Sequence, residues 1–140
     1  ILMSLIRNCG GHTAQSTKNL LELRRSVEGG GKDLIWIHDI SLMLTPIYIR
    51  QQDVTANIGY FHHSYFPSSD NTGHVNLEVD FEITPVCDLI GFHLFEYARN
   101  FSASCRKIFK LDVISKKGGL MGIDYNGRTV LIKINHIGIN

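Results

Sequence analysis

The sequence predicts an α+β domain in which an antiparallel sheet packs against one long amphipathic helix, with a smaller N-terminal helix. Three observations carry that expectation. Val75, Leu77, Val79, Phe81 and Ile83 alternate with His74, Asn76, Glu78, Asp80 and Glu82, the period-two pattern of a strand with one wet face. Ile90, Leu94, Tyr97, Ala98, Phe101, Cys105 and Ile108 fall on one helical stripe. Asn126-Gly127 separates two apolar runs, a strong short-range signal for a β-hairpin.

The elements follow in chain order. Ile1 to Ile6 is an apolar stretch, read as a strand or docked end, and Gly10-Gly11 breaks it. Ala14 to Glu28 reads as a helix, with Leu20, Leu23 and Val27 on one side, Arg24 and Arg25 in the closing turns, and Gly29-Gly30-Gly31 as its stop. Leu34 to Leu44 reads as one long strand whose ladder Pro46 disrupts, and Ile47 to Arg50 starts another. Val54, Ala56, Ile58 and Tyr60 alternate more weakly, and Pro67 to Gly73 is a loop. Thr84-Pro85 is expected to open the long helix as N-cap and first-turn proline, with Asp88 near its positive end. Leu111 to Ser115 and Leu120 to Tyr125 are strands joined by a Lys116-Lys117-Gly118-Gly119 turn. A two-residue turn at Asn126-Gly127 pairs Tyr125 with Arg128, Ile123 with Val130 and Met121 with Ile132. Without an internal repeat or linker, residues 1–140 read as a single domain.

At 140 residues the chain is long enough to bury a core without disulfide or metal staples. No apolar run approaches the roughly 18 residues of a membrane span. Cys9, Cys87 and Cys105 are sparse, odd in number and lack a CxxC spacing, which fits buried thiols in a reducing compartment. No signal peptide is read. The chain opens at Ile1 rather than Met, which leaves room for an N-terminal tail.

Several constellations resemble chemistry without completing it. Gly29-Gly30-Gly31-Lys32 lacks the spacer and the Ser/Thr of a phosphate loop, and a strand follows it. Gly10-Gly11-His12-Thr13 precedes a helix but has no βαβ continuation. His62 and His63, considered with His74 as metal ligands, point to opposite faces of an extended chain. Cys105 with His93 is a chance pairing, and no GxSxG frames a serine. Glu78, Asp80 and Glu82 share a solvated face that would not shift a carboxyl pKa. On this reading there is no catalytic residue, no metal and no cofactor.

Charge is segregated along the chain. Residues 1–50 hold six basic and four acidic residues, net +2; residues 51–98 hold seven acids and no Lys or Arg, net −7. Residues 99–140 hold eight basic residues against two acids, net +6. Arg99, Arg106, Lys107, Lys110, Lys116 and Lys117 are the candidate contact for phosphate or anionic lipid, and Glu78, Asp80 and Glu82 the acidic face for self-association.

From Gly73 to Tyr125 the sequence resembles the C-terminal part of the rhabdovirus matrix proteins. The resemblance rests on Gly73-His74-Val75-Asn76-Leu77-Glu78-Val79, an amphipathic helix ending in basic residues, and Leu111-Asp112-Val113-Ile114-Ser115-Lys116-Lys117-Gly118-Gly119-Leu120. A plant-infecting member fits best, since proline-rich budding motifs and a long lysine-rich tail are absent. The resemblance implies a non-enzymatic structural protein of the virion, lying beneath the envelope and made in the host cytoplasm. It would polymerise with itself and bridge the nucleocapsid and its RNA to the anionic membrane surface. The alternative is a small monomeric nucleic-acid- or protein-binding domain, and a third reading is a small enzyme using His62, His63 and His74.

Overall fold

The computed structural model describes residues 34–66, 83–118 and 120–135. The N-terminal helix expected at Ala14 to Glu28 and the alternating strand bearing Glu78, Asp80 and Glu82 lie outside the described residues, as do Cys9 and His74. Within them, six strands form one sheet: β1 (Leu34–His38), β2 (Asn57–His62), β3 (Leu89–Phe92), β4 (Asp112–Ser115), β5 (Met121–Tyr125) and β6 (Arg128–Ile134). Their order across the sheet is β1-β2-β3-β6-β5-β4. β1, β2, β3 and β6 are parallel neighbours, and β5 runs antiparallel to both β6 and β4. The sheet is therefore mixed with a parallel centre, which corrects the expected antiparallel sheet. Two helices, α1 (Thr45–Gln52) and α2 (Phe95–Phe109), and a 3-10 turn at Ile40–Leu42 complete the described elements.

The main correction has a physical cause. Strands buried on both faces show no alternation, so a short apolar run reads equally as strand or helix. Leu89-Ile90-Gly91-Phe92 was assigned by its spacing to the long helix, yet it is β3, and α2 begins only at Phe95, after an extended Leu94. Ile83 to Val86 form turns rather than a helix start. Pro46 lies in the first turn of α1, where its missing N–H costs nothing, so the segment expected to interrupt one strand and begin another is a helix. The C-terminal hairpin follows its turn chemistry. Asn126 and Gly127 both have positive φ (47° and 80°), and the pairs Tyr125–Arg128, Ile123–Val130 and Met121–Ile132 form as the turn dictates.

Register divides the sheet into two faces. Ile37, Tyr60, Ile90 and Ile132 stand side by side across β1, β2, β3 and β6, each at most 1% exposed. Ile49 of α1 and Ala98, Phe101 and Cys105 of α2 join the same buried cluster, so the helices cover this face. The other face carries Trp36, His38, Phe61 and two glycines. A Cβ on Gly59 would stand 2.2 Å from the Trp36 ring, and one on Gly91 would stand 2.4 Å from the Phe61 ring. Each aromatic thus leans across a bare backbone on the neighbouring strand.

The amino ends of the parallel strands are tied together by Asp88, just before β3. Its carboxylate accepts from Arg50 Nη2 (3.0 Å), from Arg128 Nη2 and from the backbone N–H of Ile58 (2.8 Å). Arg50 also donates to the carbonyls of Val54, Ala56 and Val86, and Arg128 to that of Pro85. Asp88 is a junction between strands, not the helix-start acid expected from its place after Thr84-Pro85.

Candidate active site

The carboxyl ends of β1, β2 and β3 lie along one edge because the strands are parallel, and each ends at or just before a histidine. His38 closes β1, His62 closes β2 with His63 next, and His93 directly follows β3. In open sheets with parallel strands, ligands bind in the crevice beyond this edge.

Three of these rings form a row. His38 Nδ1 lies 2.8 Å from His63 Nε2, and His63 Nδ1 lies 2.8 Å from His93 Nε2. The His38 and His63 ring centres lie 5.0 Å apart with their planes 25° from parallel, and Phe61 supports the row with its centroid 4.8 Å from both His63 and His93. His62 turns the other way, as its place in an extended chain requires. It is buried, with its Nδ1 3.3 Å from the Tyr60 hydroxyl and its ring against Phe66 and Phe92. Burial lowers the pKa of His62 below its ordinary value. His38 is lowered as well, first by burial and then by the nearby charge of His63, against a raising influence from Asp39.

Asp39 occupies a backbone conformation that L-residues rarely adopt, φ 67° and ψ 168°. Such strain costs about 1–3 kcal/mol and gathers at functional positions. The residue is pinned there: its N–H donates to the Phe61 carbonyl (2.9 Å), and Ser64 Oγ donates to its carboxylate (3.3 Å). The edge therefore offers imidazole N–H donors, a carboxylate acceptor and an exposed His63 within a few residues of each strand end. This set can hold hydroxyl groups and an anion.

Among the described residues no group of three or more His, Cys, Asp or Glu is arranged to hold a metal ion. Imidazoles bonded to one another spend on each other the lone pairs a metal would need. The thiols of Cys87 and Cys105 are buried and pushed up to about 12, so they stay protonated, and the Cys105–His93 pairing has no nucleophile to offer.

The basic residues singled out from the sequence are exposed and spread over both ends of the sheet. Arg106, Lys107 and Lys110 lie at the closing end of α2, towards the strands' amino edge, and Arg99 sits further up the helix. Lys116 and Lys117 follow β4, which runs in the direction of β6, so they stand at the carboxyl edge, beyond β5 and β6 from the histidines. Sequence reasoning missed the histidine row by treating His62 and His63 as a pair and leaving His38 and His93 apart. The overlooked signal is an apolar run closing on histidine three times, with the bonded rings 25 and 30 residues apart.

Comparison with known proteins accounts for this architecture. The sequence profile of glycosyltransferase family 20 matches residues 24–140. A probable alpha,alpha-trehalose-phosphate synthase (UDP-forming) 9 of Arabidopsis thaliana is 44% identical over 110 residues, covering 78% of this chain and 13% of that protein. The alpha,alpha-trehalose-phosphate synthase (UDP-forming) of Botryotinia fuckeliana is 34% identical over 123 residues, covering 84% of this chain and 22% of that one. The crystal structure of a Burkholderia xenovorans alpha,alpha-trehalose-phosphate synthase (UDP-forming) in complex with glucose-6-phosphate superimposes with a TM-score of 0.72 at 26% identity, covering 91% of this chain and 28% of that one. The N-terminal domain of a Candida albicans trehalose-6-phosphate phosphatase gives a TM-score of 0.68 at 25% identity over 96% of this chain and 29% of that one. The chain thus spans a small part of each of these relatives.

These matches overturn the matrix-protein resemblance and what it implied: a non-enzymatic virion component under an envelope, polymerising and bridging nucleocapsid RNA to membrane. The alternative of a small monomeric nucleic-acid- or protein-binding domain finds no support in them either. The resemblance rested on a strand, a basic-ended helix, a strand, a lysine turn and a strand, an order that unrelated sheets share. The fold is a Rossmann-like sheet of the kind found in GT-B glycosyltransferases, and the chain belongs to glycosyltransferase family 20.

Proposed function

We propose that this chain supplies part of the sugar-binding centre of a UDP-forming trehalose-phosphate synthase, with His38, His63, His93 and Asp39 facing the ligand. The observation that carries the reading is the row of hydrogen-bonded imidazoles at the carboxyl edge of three parallel strands, beside a strained aspartate. In such a transfer the bond between the donor's anomeric carbon and the diphosphate oxygen breaks. A new bond forms to a hydroxyl oxygen of glucose 6-phosphate, and that hydroxyl's proton and UDP depart. The imidazole N–H groups are suited to donate to sugar hydroxyl or phosphate oxygens, and Asp39 to accept from a hydroxyl. The hydrogen bonds to the Phe61 carbonyl and from Ser64 hold that acceptor in its strained conformation before the ligand arrives. Lys116 and Lys117 add positive charge to the same edge of the sheet and would draw an anionic substrate towards it.

Histidine ring resonances of the 140-residue protein test this directly. Glucose 6-phosphate or UDP-glucose should shift the His38, His63 and His93 signals, while free glucose at equal concentration shifts them far less. Rings that stay put with both phosphorylated ligands would overturn the reading.

A further inference from the structure

The two inter-ring contacts allow the protons of the row to be counted. A neutral imidazole carries one N–H and one bare nitrogen. The contact between His38 Nδ1 and His63 Nε2 holds one proton, as does that between His63 Nδ1 and His93 Nε2. In the neutral row both contacts are filled, and a third proton sits on one outer nitrogen, either His38 Nε2 or His93 Nδ1. One added proton fills the other outer nitrogen, and every contact keeps a donor and an acceptor. That proton belongs to no single ring: moving a hydrogen across either contact places the charge on His38, His63 or His93 in turn. A second added proton has no outer nitrogen left and would put two N–H groups face to face at 2.8 Å.

We propose that His38, His63 and His93 act as one proton-sharing unit, neutral or singly charged, a reading carried by the two inter-ring contacts. The surroundings suit a single charge. Among the described residues, charged groups close to the row by sequence or strand register include Asp39 after β1, Glu96 in the first turn of α2, and Lys133, the register neighbour of Gly91 on β6. Ser64 is bonded to Asp39, His62 faces the opposite, buried side, and Phe61 lies against the rings as an apolar support. The charge of His63 opposes charge on His38, in keeping with a row that stops at one proton.

The test is a pH titration of the ring nitrogens in the nitrogen-15-labelled 140-residue protein. All three rings should move through one common midpoint, with uptake of one proton per chain. His63→Gln, at an exposed position that tolerates the change, should replace this with two separate midpoints for His38 and His93. Three independent midpoints in the unaltered protein, or midpoints for His38 and His93 that His63→Gln leaves unchanged, would overturn the shared unit.

Discussion

The two edges of the sheet's parallel centre solve opposite problems, each beside an aspartate: Asp88 with arginines at one edge, Asp39 with histidines at the other. At the amino edge, Asp88 is satisfied by two guanidiniums and a backbone N–H, and those guanidiniums bind neighbouring carbonyls. At the carboxyl edge, Asp39 sits in strained backbone and the imidazoles bind mainly one another. The first arrangement joins α1, β2, β3 and β6 and leaves little for a ligand to claim. The second leaves one nitrogen at each end of the row outside the inter-ring contacts. On the proposed function, stability and binding are concentrated at opposite ends of the same strands.

Breaking the amino edge should have the largest effect on folding. Asp88→Ala leaves Arg50 and Arg128 facing each other without their acceptor. Losing a charged hydrogen-bond network at this partly exposed site should cost about 2–4 kcal/mol of unfolding free energy in urea. The histidine resonances and their response to ligand should survive wherever the protein is still folded. Gly91→Ala sharpens the comparison from the other side. Its Cβ would collide with the Phe61 ring, an overpacking cost of about 1–3 kcal/mol, and push that ring against His63 and His93. Unlike Asp88→Ala, it should shift the histidine signals and weaken ligand binding severalfold in calorimetry.

The smallest change should carry the opposite sign. Asp39→Gly relieves φ 67° and ψ 168°, a region glycine enters freely, so the protein should become more stable by about 1 kcal/mol, net of glycine's greater chain entropy. Ligand binding should fall at the same time, since the carboxylate is gone. A thermal melt and a ligand titration on one sample check both halves, and stabilisation without loss of binding would remove Asp39 from the site.

Local chemistry made some elements readable. Asn126-Gly127 imposed a turn whose register agreed with the apolar pattern on both strands, so β5 and β6 and their pairing could be written down beforehand. The stripe Tyr97, Ala98, Phe101, Cys105 found the body of α2, although not its start. The parallel strands were not legible in the same way. Leu34–His38 was read only as part of a longer strand, while Asn57–His62 and Leu89–Phe92 are short, largely apolar and mostly buried, and such runs carry little periodicity to distinguish strand from helix.

The sequence by itself determined the hairpin, the cationic turn at Lys116-Lys117, and the divergence of His62 from His63, because each depends on residues a few positions apart. Only the tertiary structure decided that β1, β2 and β3 run side by side in one direction, and with that which histidines meet. Rings 25 and 30 residues apart come into hydrogen-bond contact through strand pairing, a relation set by the burial of Ile37, Tyr60 and Ile90 across three strands rather than by any spacing in the chain.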